Sequence, residues 1–179
     1  MKVIFLDRDG VINQEVGYLH NSKDFKFIDG TFDACKKFQT LGYKLIIVTN
    51  QSGIARGYYK EEDFHVLNNW MLAQFANKDI GILDTFFCPH GPKSKCKCRK
   101  PRPGMFLAAR DKYGINMESS WMIGDKNTDI EGAIAAGIKN TILVKSGRKL
   151  DEINIRAKFI LKSIKESGQI ITQSFDRML

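Results

Sequence analysis

Val3-Ile4-Phe5-Leu6 runs straight into Asp7-Arg8-Asp9-Gly10. Four apolar residues rich in branching predict a short strand buried on both faces, as in a parallel sheet. In open parallel α/β sheets, ligands bind just beyond the carboxyl ends of the strands. A strand ending in Asp-x-Asp-Gly therefore delivers two carboxylates to the edge where chemistry happens. The i, i+2 spacing points both acids the same way while the chain stays extended, and Gly10 permits a sharp turn. Alone, the motif is no more than an acidic exit from a strand. Its weight comes from matching parts that follow in order.

Strand and helix signals alternate along the chain. Gly30 to Leu41 places Phe32, Cys35, Phe38 and Leu41 along one helix side, with Cys35 as a small core residue and Gly42 as the stop. Lys44 to Thr49 is a second buried strand, followed by Asn50-Gln51-Ser52-Gly53-Ile54-Ala55-Arg56-Gly57. Small polar residues and glycines at a strand end suit an anion, although a plain turn explains them equally well. Glu61 to Asn77 is a helix, with Trp70 as a core residue and not a ligand stack. Further strands are predicted over Leu83 to Phe87, Ser120 to Gly124, Asn140 to Val144 and, at an edge, Ala157 to Leu161. Pro103 opens a helix reaching Tyr113, Ile130 to Ala136 forms another before Gly137, and Ser163 to Ser174 closes the chain. The polar stretch Asn13 to Phe27 is an excursion long enough to be functional. This alternation predicts a three-layer α/β fold with a mostly parallel sheet, and 179 residues without a linker or repeat predict one domain over 1–179.

The third strand ends in Cys88-Pro89-His90 and continues to Cys96-Lys97-Cys98. Two pairs of soft ligands, Cys-x-His and Cys-x-Cys, match a tetrahedral zinc site over 88–98. The spacing is not that of a DNA-binding finger. With all four positions filled by protein, the zinc is expected to be structural. Arg99 and Lys100 follow directly, so the metal loop would brace two cations beside the acidic strand ends, where they could hold phosphate. Asp125, at the end of the Ser120 strand, is a further metal candidate, whereas Asp129 could simply serve a helix dipole.

Charge sharpens the choice of ligand. The net charge is +8, with Lys93, Lys95, Lys97, Arg99, Lys100 and Arg102 crowded together and Lys145, Arg148 and Lys149 in a smaller group. Such a surface suits nucleic acid, an anionic membrane or a phosphorylated small molecule. Met1-Lys2 is followed by only four apolar residues before Asp7, too few for a signal-peptide core, and no apolar run reaches membrane-spanning length. A cytoplasmic protein with reduced cysteines is the expectation.

The ordered set Asp7-x-Asp9-Gly10, Thr49, Lys100 and Gly124-Asp125 with Asp129 resembles the haloacid dehalogenase (HAD) superfamily of aspartate-dependent phosphatases. Thr49 to Gly57, the Cys/His loop, Arg99-Lys100-Pro101-x-Pro103-Gly104-Met105 and Gly124-Asp125-Lys126 are similar to the heptose bisphosphate phosphatases. One departure is that only five residues separate His90 from Cys96, shorter than in many of those enzymes. The resemblance implies a capless HAD-like Rossmannoid fold. It implies Mg²⁺-dependent removal of the C7 phosphate of D-glycero-D-manno-heptose 1,7-bisphosphate, on the way to nucleotide-activated heptose for lipopolysaccharide or other surface glycans. Histidinol-phosphate phosphatase, with a similar acidic motif and zinc loop, is the alternative.

The implied roles agree with simple electrostatics. Asp7 would be the nucleophile, forming an aspartyl-phosphate. Mg²⁺ would relieve repulsion between anions, held by Asp7, Asp125 and the backbone carbonyl of Asp9. Asp9 would protonate the leaving alkoxide and later take a proton from water. Thr49 and Lys100 would hold the transferring phosphoryl oxygens, and Arg99 would contribute to substrate choice through a second phosphate. The resemblance adds Glu15, Val16, Gly17, Tyr18, Asn50, Gln51, Ser52 and Lys126 as substrate contacts. The expected partner is a phosphorylated sugar, with no nucleic acid or membrane, and the chain is expected to be a monomer. A signalling receiver domain would need its phosphoacceptor after the third strand, where Cys88 stands. A zinc-containing nucleic-acid module would leave the acidic motifs without a use.

Overall fold

The computed structural model describes residues 1–147 and 155–176. Arg148 and Lys149 of the smaller basic group lie outside the described residues. Six strands, β1 (Val3–Leu6), β2 (Lys44–Asn50), β3 (Ile82–Cys88), β4 (Trp121–Gly124), β5 (Asn140–Val144) and β6 (Phe159–Leu161), form one sheet in the order β3-β2-β1-β4-β5-β6. Every pairing is parallel, so the sheet is wholly parallel where a mostly parallel one was expected.

Strand alternation builds the three layers. Ile4, Leu6, Leu45, Ile47, Trp121 and Ile123 point to one face, where they meet α1 (Thr31–Thr40), α2 (Glu61–Ala76) and α5 (Ser167–Asp176). Val3, Phe5, Ile46, Val48 and Met122 point to the other, against α3 (Gly104–Tyr113) and α4 (Asn127–Ala135). Phe5 and Phe106 are fully buried and meet edge-on at 5.3 Å. Each such ring contributes about 1.5–3 kcal/mol by leaving water. Cys35 is fully buried, and Trp70 packs partly buried against Phe25 and Phe27, both as expected of core residues.

Three helix boundaries differ from the sequence expectation, each for a local reason. Pro103 is the N-cap of α3 and not its first residue. The Gly104 N–H donates to the Lys97 carbonyl at 3.0 Å, and a side chain at Gly104 would collide with that carbonyl. α4 begins at Asn127, three residues early, because Asp129 Oδ2 accepts the Lys126 N–H at 3.0 Å and caps the first turn. The closing helix is split: a 3₁₀ turn at Ile164–Glu166 precedes α5.

β1 lies at the centre, with β2 on one side and β4 on the other. Successive strands run outward from β1 to β3, then from β4 to β6. The reversal between β1 and β4 is the topological switch point, the crevice where ligands bind. Asp7 follows β1 and Asp125 follows β4, so both flank it. Between β1 and α1 the excursion holds only a 3₁₀ turn at Ser22–Asp24, and no helix or strand separates β2 from α2. The carboxyl edge therefore has loops for walls and no cap domain.

Candidate active site

Lys100 stands at the floor of this edge. Its side chain is buried, and its ammonium lies 3.0 Å from Asp7 Oδ1, 2.7 Å from Asp129 Oδ1 and 2.7 Å from the Val48 carbonyl. Burial works against the lysine's charge, but the carboxylates of Asp129 and Asp7 outweigh it and raise its pKa. Burial likewise pushes Asp7 up, yet Lys100 and then Lys126 hold that carboxyl below the usual carboxylate range. Asp7 is thus a buried acid kept ionised, as a carboxylate nucleophile requires.

Asp125 is the opposite case. It is buried, and neither of its oxygens has a hydrogen-bond partner, although the Lys126 ammonium stands 3.3 Å from one of them. Burial, then the charges of Asp7 and Asp129, push its pKa up to about 8. A side chain at Gly10 or Gly147 would overlap the Asp125 carboxylate, so two glycines keep the space around it clear. One carboxylate oxygen from each of Asp7, Asp125 and Asp129 falls within 4.8 Å of the others. A buried carboxylate without hydrogen bonds, beside two more acids, fits a hard divalent cation that takes oxygen ligands. Asp129 is already committed to Lys100 and to two backbone N–H groups, which leaves Asp125 as the carboxylate open to an ion.

Asp9 is bracketed by donors. Arg8 approaches it at 2.9 Å, Asn13 Nδ2 at 3.0 Å and Gln51 Nε2 at 3.1 Å. Gln51 Nε2 also donates to Thr49 Oγ1 at 2.9 Å, while its Oε1 accepts the Tyr59 hydroxyl at 2.6 Å. Asn50 reaches across to the chain of Lys100, giving its amide to the Lys100 carbonyl and taking the Lys100 N–H, both at 3.1 Å.

The Cys/His loop has gathered its four residues. Cys88 Sγ lies 3.1 Å from Cys98 Sγ, 3.8 Å from Cys96 Sγ and 3.4 Å from His90 Nδ1. Zinc–sulfur bonds of about 2.3 Å in a tetrahedron put sulfurs roughly 3.8 Å apart. All four cysteines are free thiols, and the Cys88, His90, Cys96 and Cys98 cluster could hold a metal ion. Arg99 donates to the His90 carbonyl and Arg102 to the carbonyls of Ser94 and Cys96, tying the loop to the segment that carries Lys100.

Above the floor opens a cavity of about 340 Å³. Glu15, Tyr18, Ser52, Arg56, Arg99 and Lys126 form much of its wall. It holds two buried carboxylates, a buried ammonium, a hydroxyl and a ring of cations, which is a site for a phosphate ester.

Comparison with known proteins agrees with that chemistry. The chain is 48% identical over 159 residues to the D-glycero-alpha-D-manno-heptose-1,7-bisphosphate 7-phosphatase of Photorhabdus laumondii, covering 85% of this chain and 87% of the relative. It is 46% identical over 171 residues to the D-glycero-beta-D-manno-heptose-1,7-bisphosphate 7-phosphatase of Vibrio cholerae, covering 91% and 92%. The chain belongs to the HAD-like heptose bisphosphate phosphatases. Residues 97–167, which include Lys100, Asp125 and Asp129, match the HAD-hydrolase-like family model. The crystal structure of the D,D-heptose 1,7-bisphosphate phosphatase from B. bronchiseptica, in complex with magnesium and phosphate, superposes with a TM-score of 0.86 at 27% identity, over 97% of this chain and 99% of that one.

In this heptose bisphosphate phosphatase, Asp7, Asp9, Thr49, Lys100, Arg99, Lys126, Glu15, Tyr18 and Ser52 all line the one cavity. Asn50 and Gln51 line it too, whereas Val16 and Gly17 do not. The Glu15 carboxylate accepts the Gly17 N–H at 2.8 Å, and Glu15 and Tyr18 line the cavity. Val16 and Gly17 line a separate hollow, and Val16 is 53% exposed. Gln51 lines the cavity, but its amide is spent on Asp9, Thr49 and Tyr59. Asn50 is in the same position, with its amide on Lys100. Arg8, Asn13 and Tyr59 carry no sequence signal for their parts in this network, apart from the place of Arg8 between two acids. The acids of a motif can be found by spacing, whereas a donor that brackets them from another loop cannot.

Proposed function

We propose that this protein removes the C7 phosphate of D-glycero-D-manno-heptose 1,7-bisphosphate. The observation that carries the reading is Lys100, buried between Asp7 and Asp129 at the floor of a cation-walled cavity. The sugar is taken from relatives whose identity extends over nearly the whole chain.

Asp7, ionised beside Lys100, attacks phosphorus and becomes an aspartyl-phosphate as the sugar alkoxide leaves. Thr49 Oγ1 and the Lys100 ammonium orient the phosphoryl oxygens and offset their charge. Asp9 gives its proton to the departing oxygen and then takes one from the water that opens the acyl phosphate. Gln51 and Asn13 fix where Asp9 can stand. Asp7, Asp125 and the Asp9 carbonyl would hold Mg²⁺, which supplies charge neutralisation between the two anions. Cys88, His90, Cys96 and Cys98 would hold a structural zinc that keeps Arg99 and Lys100 in place. The reading takes 1–179 as one catalytic unit, working as a cytoplasmic monomer in heptose precursor synthesis. No helix among the described residues is long and apolar enough to cross a membrane.

Asp7→Asn tests the chemistry. The variant should keep the wild-type circular dichroism and lose turnover, and a wild-type sample quenched during turnover should carry phosphate on the Asp7 peptide. Substantial activity in the variant would rule out the aspartyl-phosphate.

A further inference from the structure

Four cations line the cavity, and they divide into two kinds. Lys100 is paired with Asp7 and Asp129, and Lys126 with Glu15 and Asp125. Among the described residues, neither Arg56 nor Arg99 forms an ion pair with a carboxylate. The floor's cations already face carboxylates, whereas the rim presents two guanidinium groups with unneutralised charge. A monoester needs only the floor. A second phosphate on the same substrate would meet the rim.

We propose that Arg56 is a specificity-determining residue that binds the phosphate remote from the reacting one, together with Arg99. This rests on the bisphosphatase reading above and adds to it a residue from the loop after β2. The side chain of Arg56 is solvent-exposed at the mouth, and its guanidinium carbon sits 5.8 Å from the centroid of the Tyr18 ring. Tyr18 adopts φ 51°, a left-handed conformation that a bulky residue rarely takes without a reason. The Tyr18 ring lies edge-on to Tyr58 at 4.6 Å. The Tyr18 ring thus flanks the Arg56 side chain, so that less rotamer freedom is lost when an anion binds. Arg99 is held by the His90 carbonyl at 3.1 Å. Two guanidiniums on separate loops of one cavity, neither neutralised by a carboxylate among the described residues, suit a phosphate dianion.

The test compares initial rates on heptose 1,7-bisphosphate and on heptose 7-phosphate, for wild type, R56Q and R56K. R56Q should lower kcat/KM for the bisphosphate by about tenfold or more, chiefly through KM. It should affect the 7-phosphate far less, so the preference for the bisphosphate collapses. R56K, which keeps the charge without the planar fork, should retain part of that preference. An exposed arginine leaves the fold alone, so the variants should melt with the wild type. Equal losses on both substrates, or an unchanged preference, would overturn the assignment of Arg56 while the bisphosphatase reading stands. A wild type that releases no phosphate from the bisphosphate would overturn both together.

Discussion

Asp129 accepts the Lys100 ammonium at 2.7 Å on one oxygen, and the backbone N–H groups of Asp125 and Lys126 at 3.2 and 3.0 Å on the other. One buried carboxylate thereby aligns the catalytic lysine, the first turn of α4 and the acid offered to the metal. Asp129→Asn keeps the shape and removes the charge. A hydrogen bond to a charged group contributes about 1.5–3 kcal/mol, so kcat should fall roughly 10- to 100-fold. Chemical denaturation should show a stability loss of similar size. Full activity in the variant would mean that Asp7 alone positions Lys100.

Gly147 stands against the Asp125 carboxylate, where a side chain would overlap its oxygens. Gly147→Ala should displace that carboxylate and raise the Mg²⁺ concentration needed for half-maximal rate by about tenfold or more, the scale on which disturbed metal surroundings act. A magnesium titration of the rate checks it. An unchanged requirement would show that Asp125 is not a ligand.

The Cys88, His90, Cys96 and Cys98 cluster should hold one zinc per chain, measurable by elemental analysis of freshly purified protein. Adding a chelator should act in two phases: fast inhibition reversed by Mg²⁺, then slow loss of structure reversed only by zinc. Because Arg99 and Arg102 are tied to this loop, the slow phase should remove activity before the sheet unfolds.

Away from the site, Asp84 on β3 accepts from Lys112 at 2.8 Å and Tyr113 at 2.9 Å, holding α3 to the sheet edge. Burial would raise its pKa, but these partners outweigh it and lower it. The stability it contributes is therefore present above the unfolded pKa of about 3.9 and is lost as pH falls through the lower folded value. Asp84→Asn should cost up to about 1 kcal/mol at neutral pH, since the pair is partly solvated. The gap to wild type should narrow in urea melts as pH falls below about 4, and close under the lowered folded pKa. A gap that persists there would assign the loss to packing.

The parts of the site that were legible in the sequence are those fixed by the sheet itself. Asp7, Thr49 and Asp125 end strands, and a buried strand ends at the same edge whichever residues surround it. The Cys/His loop was legible because four soft ligands in two tight pairs have few other uses. The hydrogen bonds of Asn50 and Gln51 and the placing of Val16 in a separate hollow were not legible, because they depend on loops that meet only in three dimensions. Gln51 faces Asp9 because Tyr59, eight residues on, takes its carbonyl. Val16 points away because Glu15 bonds to Gly17. Asp129 carries a helix-start signal in the sequence, but its hold on Lys100, 29 residues earlier in the chain, does not show there.

The most direct measurement is phosphorus NMR of the protein with Mg²⁺ and each anomer of D-glycero-D-manno-heptose 1,7-bisphosphate, with histidinol phosphate in parallel. Loss of the C7 signal alone, with the C1 signal retained, is the predicted result, and the faster anomer names the preferred substrate. Turnover of histidinol phosphate with both heptose phosphates left intact would contradict it.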